Sequence, residues 1–242
     1  RPGSPLYFLK LRIPPQVRIL KQTRKLIQQV PRPPASPVLL PVAERRFLRI
    51  RRIRIQLVVG RIAEEKNLGL TIQAYQSMHK INNKLKFVLV GDGPMLTKLE
   101  KEHPEFVFTG KRSGEDLAAH YASGDIFLFS SLTETFGNVI LEAMASGLGI
   151  VAFDYAAAHL HIDPKETGLL SKTSDAAGFV NNAKSIVQNE LLMKKLRINA
   201  NKYAQQHSWS AIVEQFENIL DLHINDDRIG WKEELEGAQQ SN

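Results

Sequence analysis

Two carboxylates, Glu134 and Glu142, stand eight residues apart in the stretch Ser130-Ser131-Leu132-Thr133-Glu134-Thr135-Phe136-Gly137-Asn138-Val139-Ile140-Leu141-Glu142-Ala143-Met144-Ala145-Ser146-Gly147. The first falls in a loop. The second falls in the second turn of a helix predicted over Asn138–Ser146 and stopped by Gly147. Between them, Phe136, Gly137 and Asn138 place backbone N–H groups and the positive helix end where an anion could sit. Glycine at 137 lets the backbone approach a ligand closely. Well upstream, Arg61 and Lys66 put two cations on one loop, the first able to grip phosphate as a fork. The combination is suited to a polyhydroxylated, phosphate-bearing molecule. The glutamate spacing alone has a plainer reading, two solvated surface charges on and beside a helix.

The elements that must position these residues follow a regular rhythm from residue 55. Ile55–Val59, Phe87–Val90, Phe106–Thr109, Ile126–Phe129 and Gly149–Phe153 are short apolar runs predicted as strands, with a sixth near Gly168–Leu170. Helical patterns separate them, ending near Lys80, over Met95–Glu102, over Ser113–Ala122 and over Asn138–Ser146. Further helices are predicted around 174–189, 190–206 and 209–222. This alternation predicts an α/β fold, a doubly wound (Rossmann-like) parallel sheet with helices on both faces. In such folds ligands sit beyond the carboxyl ends of the strands. Loops 60–67, 91–94, 110–112 and 130–138 are therefore expected to converge on one edge.

Composition bounds the rest. Over 242 residues, 43% hydrophobic and 24% charged content are ordinary for a globular protein. No cysteine is present, which removes disulfides, thiolate metal sites and thiol nucleophiles. No apolar run approaches the ~18 residues of a transmembrane helix, and no charged-then-apolar secretory layout opens the chain. A cytoplasmic location, peripheral on a membrane inner face, is the expectation. The net charge of +7 is uneven. Residues 1–54 hold 14 Lys and Arg against the single acid Glu44, whereas the other 188 residues hold 18 Lys and Arg against 24 acids. Nine of the twelve prolines fall before residue 45, so a packed domain is not expected there. Six arginines alternate with apolar residues over 45–54. That pattern suits an anionic membrane surface or nucleic acid, but a solvated linker or a remnant of a longer chain is the plainer reading.

The motifs carry a resemblance. Glu134 and Glu142, with seven residues between them inside SLTETFGNVILEAMASG, resemble the E-x7-E signature of the retaining group 1 glycosyltransferases of the GT-B fold. Arg61 and Lys66 in VGRIAEEKNL are similar to that family's G-R-x-x-x-E-K-N loop, and Gly91-Asp92-Gly93-Pro94 to its G-D-G-P turn. The resemblance covers roughly Gln56 to Leu222 and implies the C-terminal, donor-binding half of such an enzyme. It implies transfer of a sugar from a UDP- or GDP-sugar to an unknown acceptor, with retention and without an obligatory metal or other cofactor. It assigns Arg61 and Lys66 to the phosphates, and Glu142 to the ribose hydroxyls. Glu134, as the catalytic residue, contacts the transferred sugar, and Phe136, Gly137 and Asn138 supply N–H groups to the sugar or distal phosphate. Gly91 lies beside the nucleoside, and Lys111 and Arg112 flank the base. For the glycine turn, a purely structural use is at least as good a reading.

The expected organisation is an irregular segment over 1–54, a nucleotide-sugar-binding domain over 55–223 and a polar tail over 224–242. A missing N-terminal acceptor domain is implied as a partner, because 54 proline-rich residues cannot supply one. An alternative is a non-catalytic remnant that binds the nucleotide sugar or docks on a membrane or nucleic acid. Gly149 stands where the family usually has proline, and Asp154-Tyr155-Ala156-Ala157-Ala158 replaces a D-x-G-G loop. His159 and His161 form an H-x-H pair that could ligate a metal only with a third ligand.

Overall fold

The computed structural model describes residues 54–133, 137–207 and 209–224. The proline-rich segment, the arginine run before Arg54, Glu134, Thr135, Phe136 and the polar tail from 225 lie outside the described residues. Six strands form one sheet: β1 (Arg54–Val59), β2 (Leu85–Val90), β3 (Val107–Phe108), β4 (Ile126–Phe129), β5 (Gly149–Phe153) and β6 (Leu169–Ser171). Their order is β3-β2-β1-β4-β5-β6, and every pairing is parallel. This is the doubly wound arrangement, in which the strand order reverses between β1 and β4. The helices are α1 (Leu68–His79), α2 (Leu96–Glu102), α3 (Gly114–Ser123), α4 (Asn138–Ala145), α5 (Ala156–His161), α6 (Ala176–Gln188) and α7 (Glu190–Gln206). The chain divides into two compact units; the sheet and helices α1 to α7 fall in the one that ends at His207, and helix α8 (Trp209–Ile224) falls in the other.

The central strands β4 and β5 read as continuous apolar runs because both sheet faces are covered. Alternate residues then feed opposite cores. Ile126, Leu128, Val151 and Phe153 join Leu85, Phe87 and Leu89 on one face, against α1 and the Phe179 and Ile186 side chains of α6. Phe127, Phe129, Ile150 and Ala152 join Leu57 and Val90 on the other, against Ile140, Ala143 and Met144 of α4. Helix α7 gives Met193 and Leu196 to the first core and Ala200 and Ala204 to the second.

Three expectations are altered. Phe106 does not open β3, because its amide bonds back to the His103 carbonyl at 3.1 Å and closes a turn. Residues 156–158 are not loop but the start of α5, entered through Ala156 at φ 48°. A left-handed alanine costs roughly 1–2 kcal/mol, which glycine would avoid. Gly149, where the resemblance leads one to expect proline, lies in a strand. It is the first residue of β5, buried, and its amide bonds to the Asp125 carbonyl at 2.9 Å, a bond that proline could not make.

The seam between β1 and β4 is short, with only Gln56 opposite Ile126 and Leu57 opposite Phe127. By contrast, β1 is in register with β2 over six residue pairs. Asp125 reinforces the amino end of that seam. Its amide bonds to the Ile55 carbonyl at 2.8 Å, and its carboxylate accepts from the Ile55 amide at 3.0 Å. The same carboxylate pairs with Arg197 of α7 at 3.3 Å, and Arg197 Nε donates to the Gly147 carbonyl at 2.6 Å. Both side chains of the pair are largely buried, so replacing Asp125 removes a buried charge pair and the bond to the Ile55 amide together. Asp125→Ala should therefore cost about 3–5 kcal/mol in urea unfolding, with faster hydrogen exchange at the Ile55 amide.

Candidate functional site

The loops leaving β1, β2 and β3 prolong the sheet as a backbone ladder. The Gly60 amide bonds to the Val90 carbonyl (3.0 Å), Gly91 to Gly110 (3.0 Å), Ile62 to Asp92 (2.9 Å) and Met95 to Ile62 (3.0 Å). This lacing requires glycine at 91: its φ is 152°, and a Cβ there would sit 1.8 Å from the Gly60 carbonyl oxygen. A Cβ on Gly93 would likewise lie 2.4 Å from the Ile62 carbonyl oxygen. The G-D-G-P turn thus has a structural use, and the Gly91 amide is committed to Gly110.

Beyond these strand ends lies a cleft of about 340 Å³, lined by Val59, Gly60, Arg61, Val90, Gly91 and Asp92, with Lys111, Arg112 and Leu117 from the far loop and α3. Its size falls within the range of small-molecule sites. It brings together four of the residues expected from the sequence: Arg61, Gly91, Lys111 and Arg112. The Arg61 side chain is 67% exposed, and its contact with Glu65 is a loose 3.5 Å. Such a pair contributes little stability and yields readily to a stronger anion. Arg112 pairs with Asp116 one turn along α3 at 3.1 Å, also at the surface.

Lys66 lies toward the β1–β4 switch point, with Nζ 3.4 Å from Ser131 Oγ. The nook there holds only about 10 Å³, about one water, so a ligand must lie over it. Hydroxyls fill it instead. Ser130 Oγ lies 2.6 Å from Thr71 Oγ1 and within reach of the Lys66 (3.1 Å) and Asn67 (3.0 Å) carbonyls. Ser131 Oγ donates to the Thr133 carbonyl at 2.7 Å, and the Leu132 amide to the Glu65 carbonyl at 3.1 Å. These bonds fasten the loop approaching Glu134 to the cationic loop. Asn67 lets the cationic loop turn into α1 by adopting φ 51°, a conformation asparagine tolerates.

Helix α4 begins at the same edge. Gly137 precedes it at φ 61° and, among the described residues, no side chain caps its first turn; the Ile140 amide bonds to the Gly137 carbonyl at 2.8 Å, which leaves the amides before it to face an anion. Asn138 is exposed and Glu142, one turn on, is half-buried. Below them sits Tyr121 of α3, wholly buried, its hydroxyl without a hydrogen bond of ordinary geometry. Burial pushes this phenol well above the usual tyrosine range, and the neighbouring Glu142 carboxylate adds to the effect. Glu134 and Phe136 lie outside the described residues.

Ser130, Ser131, Thr71 and Tyr121 were not predicted as site residues. A Ser-Ser pair directly after a fully apolar strand is a signal that could have singled out the first two. Nothing local in the sequence places Tyr121 beside Glu142. The H-x-H histidines do not converge: His159 pairs with Asp154 at 2.6 Å, and His161 meets Tyr203. Among the described residues, no three His, Cys, Asp or Glu side chains are grouped to hold a metal ion.

Comparison with known proteins bears on this architecture. The family model described as Glycosyl transferases group 1 matches residues 54–189. A GDP-mannose-dependent alpha-mannosyltransferase of Mycobacterium tuberculosis is 41% identical over 112 residues, 46% of this chain and 28% of that protein. A sulfoquinovosyl transferase of Arabidopsis thaliana is 32% identical over 166 residues, 66% of this chain and 32% of that protein. The chain thus spans about a third or less of the length of these curated relatives. Among solved structures, a sucrose-phosphate synthase from Thermosynechococcus elongatus superposes with a TM-score of 0.63 at 25% identity, covering 83% of this chain and 55% of the other. A pneumococcal O-GlcNAc transferase in complex with UDP and GlcNAc gives 0.62 at 21% identity over 73% of this chain and 37% of that one, a likeness of fold.

The laced loops make a direct test possible. Gly91→Ala should lower stability by about 1–3 kcal/mol in urea titration, the cost of a forbidden backbone conformation together with its clash. Gly69→Ala, on α1 with open space around it, should be neutral or stabilising by about 0.5–1 kcal/mol.

Proposed function

The chain belongs to the group 1 glycosyl transferases, and we propose that residues 54–207 bind the nucleotide-diphosphate sugar from which that family transfers a glycosyl group. The carrying observation is the convergence of Arg61, Gly91, Lys111 and Arg112 on one cleft beside the uncapped start of α4. The base lies between Lys111, Arg112 and Leu117. The diphosphate runs over Arg61 and Lys66 toward the α4 amides at Gly137 and Asn138. Glu142, an acceptor-only carboxylate one turn into the helix, takes the paired hydroxyls of the ribose. Either UDP or GDP satisfies this chemistry. The similarity to a GDP-mannose-dependent enzyme supports GDP.

In this reading the bond from the anomeric carbon to the diphosphate oxygen breaks, the acceptor hydroxyl oxygen bonds to the same face, and its proton passes to the departing diphosphate. Negative charge grows on the departing diphosphate, where Arg61, Lys66 and the α4 terminus meet it, so the reaction relies on protein cations and needs no obligatory metal. Glu134 and Phe136 serve the transferred sugar, with Glu134 supporting positive charge at the reacting carbon. Acceptor recognition lies with residues outside 54–207. A soluble, inner-membrane-face location suits the arginine run over 45–54, which offers charge to anionic lipid. No described helix is long and apolar enough to cross a membrane.

Calorimetry with UDP, GDP and their sugars tests the reading. One nucleotide should bind, equally well with and without a chelator, and Arg61→Ala should weaken it by about tenfold to a hundredfold, the effect of a lost charge-assisted bond. Heat from no nucleotide overturns the reading. In a transfer assay, Glu134→Gln should lower turnover by roughly a hundredfold while leaving nucleotide affinity near its original value.

A further inference from the structure

We propose that Tyr121 is a positioning residue: its buried hydroxyl is the fixed donor that orients the Glu142 carboxylate toward the ribose of the bound nucleotide. The inference rests on the nucleotide-sugar reading of the cleft. Tyr121 is 0% exposed and its ring packs in the core formed by Phe127, Ile140, Ala143 and Met144. Its ring lies 6.2 Å from that of Phe127. The ring therefore has no freedom to carry its hydroxyl to water. A buried hydroxyl left without a partner is costly, and no packing argument requires oxygen at that position. The group beside it that can use a donor is Glu142, whose charge acts on the phenol.

The two residues are suited to each other chemically. A tyrosine hydroxyl at any working pH is protonated here, so it donates, and an ionised carboxylate only accepts. One carboxylate lone pair occupied by Tyr121 fixes the plane of the group. The remaining lone pairs then point as a set, ready for two adjacent hydroxyls. Without that bond a glutamate on a helix surface samples several rotamers, and ordering it on binding costs affinity.

The test uses the full chain, Tyr121→Phe, and two ligands: whichever of UDP or GDP the wild type binds, and its 2′,3′-dideoxy counterpart. The phenylalanine keeps the ring and removes only the oxygen. The variant should fold with the wild-type circular dichroism and melt within a few degrees of the wild-type midpoint, since the packing of the ring is kept and a single hydroxyl is lost. Its affinity for the ribonucleotide should fall about tenfold, on the scale of one hydrogen bond to a charged group. Its affinity for the dideoxy ligand should match the wild type, because that ligand offers Glu142 nothing to hold. Equal ribonucleotide affinity in the two proteins overturns the role of Tyr121 and leaves the cleft reading standing. So does an equal loss for both ligands, which makes the hydroxyl a packing element. A wild type that binds neither nucleotide overturns the cleft reading, and the inference with it.

Discussion

Everything at the site depends on how β1 is held against β4. That junction is the place where the strand order reverses, and its ladder contains only two residue pairs. Two buried polar side chains lengthen it at either end. Asp125 clamps the amino end through Ile55 and Arg197, and Ser130 clamps the carboxyl end through Lys66, Asn67 and Thr71. Each clamp is satisfied by several partners, which is the condition under which a buried polar group stabilises rather than destabilises a core. The cationic loop and the loop approaching Glu134 inherit their relative position from the second clamp.

The edge above the junction is built mostly from backbone. Amide-to-carbonyl bonds continue past the ends of β1, β2 and β3, with glycine at 91 and 93 where a side chain would collide. The floor of the cleft is thereby rigid, and variable chemistry is confined to the side chains that stand on it. Arg61, Lys111 and Arg112 are exposed, and Arg61 and Arg112 are only lightly engaged with neighbouring acids. Such cations are available to a ligand's charge at little cost to the fold.

The fold was legible because its signals are local. β4 and β5 are runs without a polar residue, long enough for a strand and too short for a helix, and the structure places them at the predicted residues. Arg61, Gly91, Lys111 and Arg112 were legible as a group because each follows a strand end, and a parallel sheet brings strand ends together. What could not be read depends on distance in sequence or on backbone conformation. Asp125 and Arg197 are 72 residues apart, and nothing near either residue announces the other. Tyr121 sits on a helix face that reads only as core. Residues 156–158 looked like loop because a loop with glycines is the family habit, and a helix entered through a left-handed alanine has no compositional mark.

A further consequence attaches to the short ladder between β1 and β4. Arg61 and Lys66 stand on one side of it, and Gly137, Asn138 and Glu142 on the other. A molecule that touches both groups is a rivet across a short seam of the sheet. Its binding free energy adds directly to the resistance of that seam to parting, growing with the logarithm of ligand concentration. Occupancy and mechanical coherence are then one quantity in this domain, read from either side.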